Sequence, residues 1–248
     1  MWASSSVKDL RNFPWKKPEE HVQRSEAAHA FFPKQSGTGY QITEGFLTEQ
    51  EHSSVMDAFR RDRGSLNKQP QTMLDLGDIR QKINHAVVEF IGISDLEGQI
   101  KANTFLQRVD NYPRDNDIQK HLHMDTFFPA WKFWYFPEEV QRYQGTFCFV
   151  PGSHILNDKK KDWMLEQYRK YYSGEELNEY SREGSLRISE QEALSLYETI
   201  LEVSVPANTL VIANVFGFHG RGNTVEPHSR IAIHGSIRFD NPFTDRRN

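Results

Sequence analysis

The sequence predicts a mainly β protein, an antiparallel double-sheet barrel of the jelly-roll type with flanking helices. Short apolar or alternating segments recur between about residues 100 and 240, which is typical of strands. Helical patterns gather before residue 100 and in one later stretch. Helices that stand apart from a run of strands, instead of alternating with them, favour two packed antiparallel sheets over a parallel α/β fold.

Two helices are predicted before the strands. Thr48 begins a capping-box pattern that opens a helix over about 49–62. An apolar stripe at helical spacing predicts a second helix over about 76–92, with Gly92 as its stop. The preceding residues are polar and proline-containing, so we expect an extended, partly helical arm there.

Seven strands are predicted, and one helical stretch interrupts them. The strands are 100–109, 120–124, 130–136, 145–150, 201–205, 209–214 and 230–238. The helical stretch, 156–199, contains a capping box at Ser189 and is interpreted as an insertion or lid. We therefore expect a single domain over 1–248, with an arm and helices in 1–98 and a jelly-roll core in 99–155 and 200–240.

Composition excludes several classes of function. The net charge of −4 offers no basic field for nucleic acid. No apolar run is long enough for a membrane helix, and no signal-peptide pattern is visible. Cys148 is the only cysteine, so an intramolecular disulfide is excluded. These observations predict a cytoplasmic protein that contacts neither membrane nor nucleic acid.

Three residues form a candidate metal site. His123 and Asp125 are two positions apart in a predicted strand, where such residues point to one face. His219 follows far downstream in an apolar, glycine-containing context. Two imidazoles and a carboxylate on one face of a metal leave three positions open, as in the facial triad of non-heme Fe(II) oxygenases.

Arg230 is the candidate anion ligand, eleven residues beyond His219. Strand alternation places it on a face with Ala232 and His234, a small and a polar residue that suit a cavity. A guanidinium there would hold the carboxylate of an organic acid that binds the metal. Arg238 has the same parity and is the fallback cation.

The order of motifs resembles the phytanoyl-CoA dioxygenase family of Fe(II)/2-oxoglutarate oxygenases. After the His123–Asp125 pair come KFWYF at 132–136, then TFCFVPGSH at 146–154, then His219 and Arg230. The resemblance covers about residues 100–240 and implies a cupin-like double-stranded β-helix core. It also implies that His123, Asp125 and His219 hold iron and that Arg230 holds the distal carboxylate of 2-oxoglutarate.

Further roles follow from the same resemblance. Trp134 matches a position that often lines the cosubstrate pocket, and Gln107 could touch cosubstrate or substrate. His154 in the PGSH turn is interpreted as structural. Family members often carry a small hydroxyl residue where this chain has Arg221. Related halogenases lack the carboxylate of Asp125, so its presence favours hydroxylation or another oxidation over halogenation.

The implied reaction oxidises an unactivated C–H of a small molecule with O2, with release of succinate and CO2. Hydroxylation, oxidative cyclisation, desaturation and epimerisation are all compatible with it. Aromatic residues crowd the segment after Asp125, which favours a cyclic or sugar-containing substrate of specialised metabolism. They are Phe127, Phe128, Trp131, Trp134 and Tyr135.

Two other interpretations remain open from the sequence. One is a cupin-like metalloenzyme with a three-histidine site of His121, His123 and His219, a ligand set that zinc accepts. It gives Asp125 and Arg230 no role. The other is a non-catalytic jelly-roll protein that binds carbohydrate and retains these residues as relics.

Overall fold

The computed structural model describes residues 17–30, 37–68, 71–73, 77–92, 101–113, 117–175 and 185–238. Its helices are α1 (Pro18–Ala30), α2 (Glu49–Lys68), α3 (Asp78–Ile91), α4 (Asp158–Ser173) and α5 (Glu190–Leu196). Its strands are β1 (Tyr40–Glu44), β2 (Gln71–Met73), β3 (Lys101–Asn111), β4 (Trp131–Phe136), β5 (Phe147–Phe149), β6 (Leu201–Val203), β7 (Thr209–Asn214), β8 (His219–Arg221) and β9 (His228–Arg238).

Two antiparallel sheets form the core of the protein. The larger sheet has the strand order β1-β7-β4-β9-β3-β2, and the smaller has the order β6-β5-β8. All the strand pairs are antiparallel, which confirms the predicted mainly β, jelly-roll architecture with flanking helices. The division of the chain into arm, core and insertion stays a prediction.

The larger sheet has one face against helices and the other against the smaller sheet. On β4, Phe133 and its neighbours at alternate positions pack with α2 and α3 in one apolar cluster. The residues between them, Trp134 and Phe136, pack with Phe147 and Phe149 of β5 in a second cluster. The alternation along β4 therefore separates the helix-covered core from the interior between the sheets.

The predicted helix signals are confirmed where the structure describes them. In the capping box of α2, the amide of Glu51 donates to Thr48 Oγ1 and the Thr48 amide donates to the Glu51 carboxylate. Gly92 ends α3 in the left-handed conformation. The Ser189 hydroxyl caps α5 by accepting from the Glu192 amide. Part of the predicted arm, residues 1–16 and 31–36, lies outside the described residues.

The predicted strand over 120–124 is wrong. A short 3-10 helix, Ile118–Lys120, ends there. The Asp117 carboxylate caps its start by accepting from the Gln119 amide, and the His121 amide closes its end by donating to the Ile118 carbonyl. The next residues form isolated bridges from His123 to His219 and to Arg187. The backbone amides of successive residues in 123–125 donate to different segments on two sides, so this segment forms no continuous ladder with either one. Strands β1, β2 and β8 were not predicted.

The described helices contain no segment that is both long enough and apolar enough to cross a lipid bilayer.

We expect Phe133→Ala to destabilise the protein by about 3–5 kcal/mol, because it empties a fully buried site between β4 and its covering helices. Leu194→Ala is the control, since Leu194 is half exposed and should cost less than about 0.5 kcal/mol. Urea denaturation followed by circular dichroism measures both free energies of unfolding. Equal losses would contradict the packing described for β4.

Candidate metal centre

The structure brings His123, Asp125 and His219 together. Nε2 of His123 and Nε2 of His219 each lie 3.7 Å from Asp125 Oδ1. One ligand atom from each residue lies within 4.8 Å of the other two. All three residues are buried. Among the described residues, this is the group of histidines and carboxylates whose geometry suits a metal ion, and its role as a metal site stays a prediction.

Backbone hydrogen bonds set the relative position of the three residues. The amides of His123 and His219 each donate to the carbonyl of the other, both at 2.9 Å. The Asp125 amide donates to the Val215 carbonyl at 3.0 Å. His123 and Asp125 thus point to the same side without a regular strand, because both are paired to the chain that leads into β8.

The second nitrogen of each imidazole is held by a backbone carbonyl. His123 Nδ1 lies 2.7 Å from the His121 carbonyl oxygen, and His219 Nδ1 lies 3.0 Å from that of Gly217. With Nδ1–H as donor, Nε2 presents its lone pair towards Asp125. Burial and the neighbouring His219 hold the pKa of His123 well below its usual range, so this imidazole stays neutral, the form that binds metal.

The loop between β7 and β8 carries His219 and is held from several sides. The Phe218 amide donates to Ser153 Oγ at 2.8 Å, and the Phe216 amide donates to Asn214 Oδ1 at 3.1 Å. The buried Lys160 donates to the Phe216 carbonyl at 3.3 Å. Ser153 belongs to the PGSH turn, so that motif supports the loop of a predicted ligand.

A lysine that the sequence analysis overlooked reaches Asp125. Lys132 Nζ lies 2.5 Å from Asp125 Oδ2, whereas the two imidazole nitrogens make their nearest approach to Oδ1. Lys132 precedes Trp134 by two positions on β4 and therefore lies on the interior face of the sheet. A charged residue in the otherwise apolar segment WKFWYF was the signal that could have identified it.

Arg230 is buried on β9, with its guanidinium carbon 5.5 Å from the centre of the Phe136 ring. Within the described part of the chain, its Nε and Nη1 atoms have no hydrogen-bond partner. Burial and the nearby Arg221 lower the pKa of Arg230 to about 9. Arg221 is itself paired with Asp117 at 3.0 Å. For the fallback cation Arg238, only the backbone belongs to the described part of the structure.

Trp134 and Gln107 lie on the interior face as well. The Trp134 ring stacks on His234 at 5.2 Å and approaches Phe147 at 4.7 Å. Gln107 is partly buried and pairs with Ala232 across β3 and β9. No hydrogen bond of the described residues assigns Gln107 a role, so its contact with a cosubstrate stays a prediction.

Several other candidates lie elsewhere. His121 is exposed and does not belong to the metal-ligand group of the described residues, so the three-histidine set does not assemble. His154 packs against Gly39, where a Cβ would stand 2.3 Å from its Nδ1. The remaining aromatic residues of the crowded segment belong to the two outer apolar clusters. They are Phe127, Phe128, Trp131 and Tyr135.

The donor set fits a divalent transition metal. Two neutral imidazole nitrogens and one carboxylate oxygen converge from one side and leave further coordination positions for small ligands. The Arg230 guanidinium, buried in the same interior without a described carboxylate partner, fits an anion.

Comparison by sequence finds no match, either to a protein-family model or to a curated protein. Comparison of structures finds similar folds among iron- and 2-oxoglutarate-dependent enzymes. The epimerase SnoN, in complex with Fe3+, α-ketoglutarate and nogalamycin RO, has a TM-score of 0.53 at 14% identity over 89% of this chain and 84% of its own.

Two further structures come from Streptomyces species. HygX from Streptomyces hygroscopicus, with nickel and 2-oxoglutarate bound, has a TM-score of 0.51 at 16% identity over 82% of this chain and 83% of its own. AviO1 from Streptomyces viridochromogenes Tue57 has a TM-score of 0.52 at 11% identity over 92% of this chain and 97% of its own. The likeness is one of fold.

We expect His123→Ala, Asp125→Ala and His219→Ala each to weaken metal binding by about two orders of magnitude, because each removes one of three ligands. Anaerobic calorimetric titration with Fe(II) or Ni(II) measures the affinity. His121→Ala is the matched control: its imidazole is exposed, and only its carbonyl serves His123. Loss of binding in His121→Ala with normal binding in Asp125→Ala would favour the three-histidine site.

Proposed function

We propose that the protein is an Fe(II)- and 2-oxoglutarate-dependent oxygenase that oxidises an unactivated C–H of a small molecule with O2. The observation that carries the proposal is the combination of two sites in one interior. One is the His123–Asp125–His219 group, and the other is the buried Arg230 without a described hydrogen-bond partner at Nε and Nη1. A three-ligand metal with a cation nearby suits a cosubstrate that carries a chelating group at one end and a carboxylate at the other.

Arg230 would hold the distal carboxylate of 2-oxoglutarate. Burying a guanidinium without a counter-ion is costly, and a carboxylate would offset that cost through paired charge-assisted hydrogen bonds. Arg221 cannot substitute in the structure described, because it is already paired with Asp117. The Phe136 ring under Arg230 and the Trp134–His234 stack provide apolar walls for the carbon chain.

Iron bound with 2-oxoglutarate would supply the oxidising power by coupling O2 reduction to decarboxylation of the cosubstrate, which yields succinate and CO2. The chain's own contribution is to hold, orient and exclude water. The Nδ1–H groups of His123 and His219 are fixed by carbonyls, so both Nε2 atoms stay aimed at the centre. Burial of the three ligands keeps bulk water away from the reacting atoms.

For the family and the substrate we propose only a class. The order of motifs supports a phytanoyl-CoA dioxygenase-like oxygenase, and the fold neighbours support the use of iron and 2-oxoglutarate. SnoN is an epimerase whose structure contains nogalamycin RO. The nogalamycin RO bound to SnoN and the aromatic ring of Trp134 in the interior both support a cyclic or sugar-containing substrate of specialised metabolism. Hydroxylation and oxidative cyclisation are the proposed outcomes.

We expect the purified protein, with Fe(II) and 2-oxoglutarate under argon, to develop a weak visible charge-transfer band. Arg230→Met should raise the 2-oxoglutarate concentration needed for half of that band by about a hundredfold, because a bidentate charge-assisted pair contributes about 3 kcal/mol. Fe(II) affinity without 2-oxoglutarate should change little.

Arg142→Met is the matched control, since Arg142 is an exposed arginine in an ion pair with Glu202. Its band should form at the wild-type concentration of 2-oxoglutarate. The proposed function would be refuted by a wild-type protein that binds Fe(II) but shows neither the band nor O2-dependent succinate release with any small-molecule substrate.

A further inference from the structure

We infer that Lys132 is a positioning residue that keeps Asp125 bound to the metal through one oxygen, so that three coordination positions remain open. The inference rests on the proposed function. It starts from the unequal surroundings of the two carboxylate oxygens. Oδ1 lies 3.7 Å from both imidazole Nε2 atoms, whereas Oδ2 lies 2.5 Å from Lys132 Nζ.

The backbone of Lys132 is fixed in the middle of the larger sheet, beside Asp125. It lies on β4, between β7 and β9, and pairs there with Ala213 and Ser236. Its side chain is 20% exposed and that of Asp125 is 6% exposed. An ion pair in such surroundings is screened weakly, and removing one partner leaves a buried charge uncompensated.

The number of carboxylate oxygens on the metal decides how many small ligands can bind. A carboxylate can bind a cation through one oxygen or through two. In a six-coordinate centre with two imidazoles, a one-oxygen carboxylate leaves three positions, enough for a chelating cosubstrate and O2. A two-oxygen carboxylate leaves two positions. By holding Oδ2, Lys132 selects the first arrangement.

Charge acts in the same direction. The ammonium of Lys132 compensates the Asp125 carboxylate, so the centre repels a dianionic cosubstrate less than an uncompensated carboxylate would. A second lysine–carboxylate pair in the protein serves as a comparison for Lys132 and Asp125. Lys82 forms an ion pair with Glu51 at 2.8 Å between two covering helices. That pair has the same chemistry but lies outside the interior between the sheets.

The test is Lys132→Met, which keeps an unbranched side chain and removes the donor and the charge. Co(II) is added first, without cosubstrate, and its visible absorption reports coordination number. We expect the Co(II) spectrum to differ from wild type and Co(II) affinity to stay within about threefold. Affinity for 2-oxoglutarate, from anaerobic titration of the Fe(II) protein, should fall by about tenfold or more, because the uncompensated Asp125 carboxylate repels the dianion.

Lys132→Arg should recover most of the 2-oxoglutarate affinity and the wild-type Co(II) spectrum, because a guanidinium can still form an ion pair with Oδ2. Lys82→Met should match wild type in both measurements. Circular dichroism confirms that each variant is folded, and the arginine variant provides the test if the methionine variant is not.

Three outcomes would overturn the inference. They are an unchanged 2-oxoglutarate affinity, an unchanged Co(II) spectrum with weaker 2-oxoglutarate binding, and a parallel loss of metal and 2-oxoglutarate. The second outcome would make Lys132 a direct contact of the cosubstrate. If the wild-type protein itself binds no 2-oxoglutarate, the proposed function fails, and the Co(II) spectra still decide whether Lys132 controls the coordination of Asp125.

Discussion

The reciprocal hydrogen bonds between the backbones of His123 and His219 are the constraint on which the candidate centre depends. Each amide donates to the other's carbonyl at 2.9 Å, and the two imidazole rings come to 4.5 Å between centroids. The two residues are far apart along the chain, so no local preference could place them together. The position of Asp125 follows from the same pairing, since its amide is bound to Val215 in the segment that leads to His219.

Charged groups in an interior lined by aromatic rings need partners that compensate for lost hydration. Arg230, Lys132 and Asp125 each lose hydration there, a loss that ordinary packing does not recover. Lys132 and Asp125 compensate each other. Arg230 has no such compensation at Nε and Nη1 within the described residues, and its position makes chemical sense when an anion completes it. The two cations therefore differ in their partners among the described residues, and this difference is why we propose an external anion for Arg230 and not for Lys132.

The sequence was sufficient for features that depend on local pattern. Strand β7 was predicted at its observed bounds, 209–214, because residues 210–213 form a continuous apolar run, as expected of a strand that is buried on both faces. The sequence failed for features that depend on tertiary register. His123 and Asp125 were expected to share a face through strand alternation. Instead, isolated bridges place His123, and a backbone hydrogen bond to Val215 places Asp125. The three-residue strand β8, with Gly220 at its centre, carries too little pattern to be recognised.

The ion pair of Lys132 with Asp125 was missed for the same physical reason. Alternation along β4 assigns Lys132 to the interior face, but its partner comes from a segment without regular structure, whose path no periodicity describes. The candidate ligands could be named because metal chemistry restricts residue types strongly. The charge of Lys132 in the apolar segment WKFWYF could have marked that residue as unusual. Its partner could not be named, because the sequence does not show which carboxylate the lysine touches.

The two sheets contribute different parts of the candidate site, and Phe147 joins them. Lys132, Trp134 and Arg230 belong to the larger sheet, whereas His219 begins a strand of the smaller one. The Phe147 ring lies 4.7 Å from Trp134 and 6.3 Å from His219. The separation of His219 and Arg230 is therefore set by how the two sheets pack, and not by the spacing of these residues in the sequence.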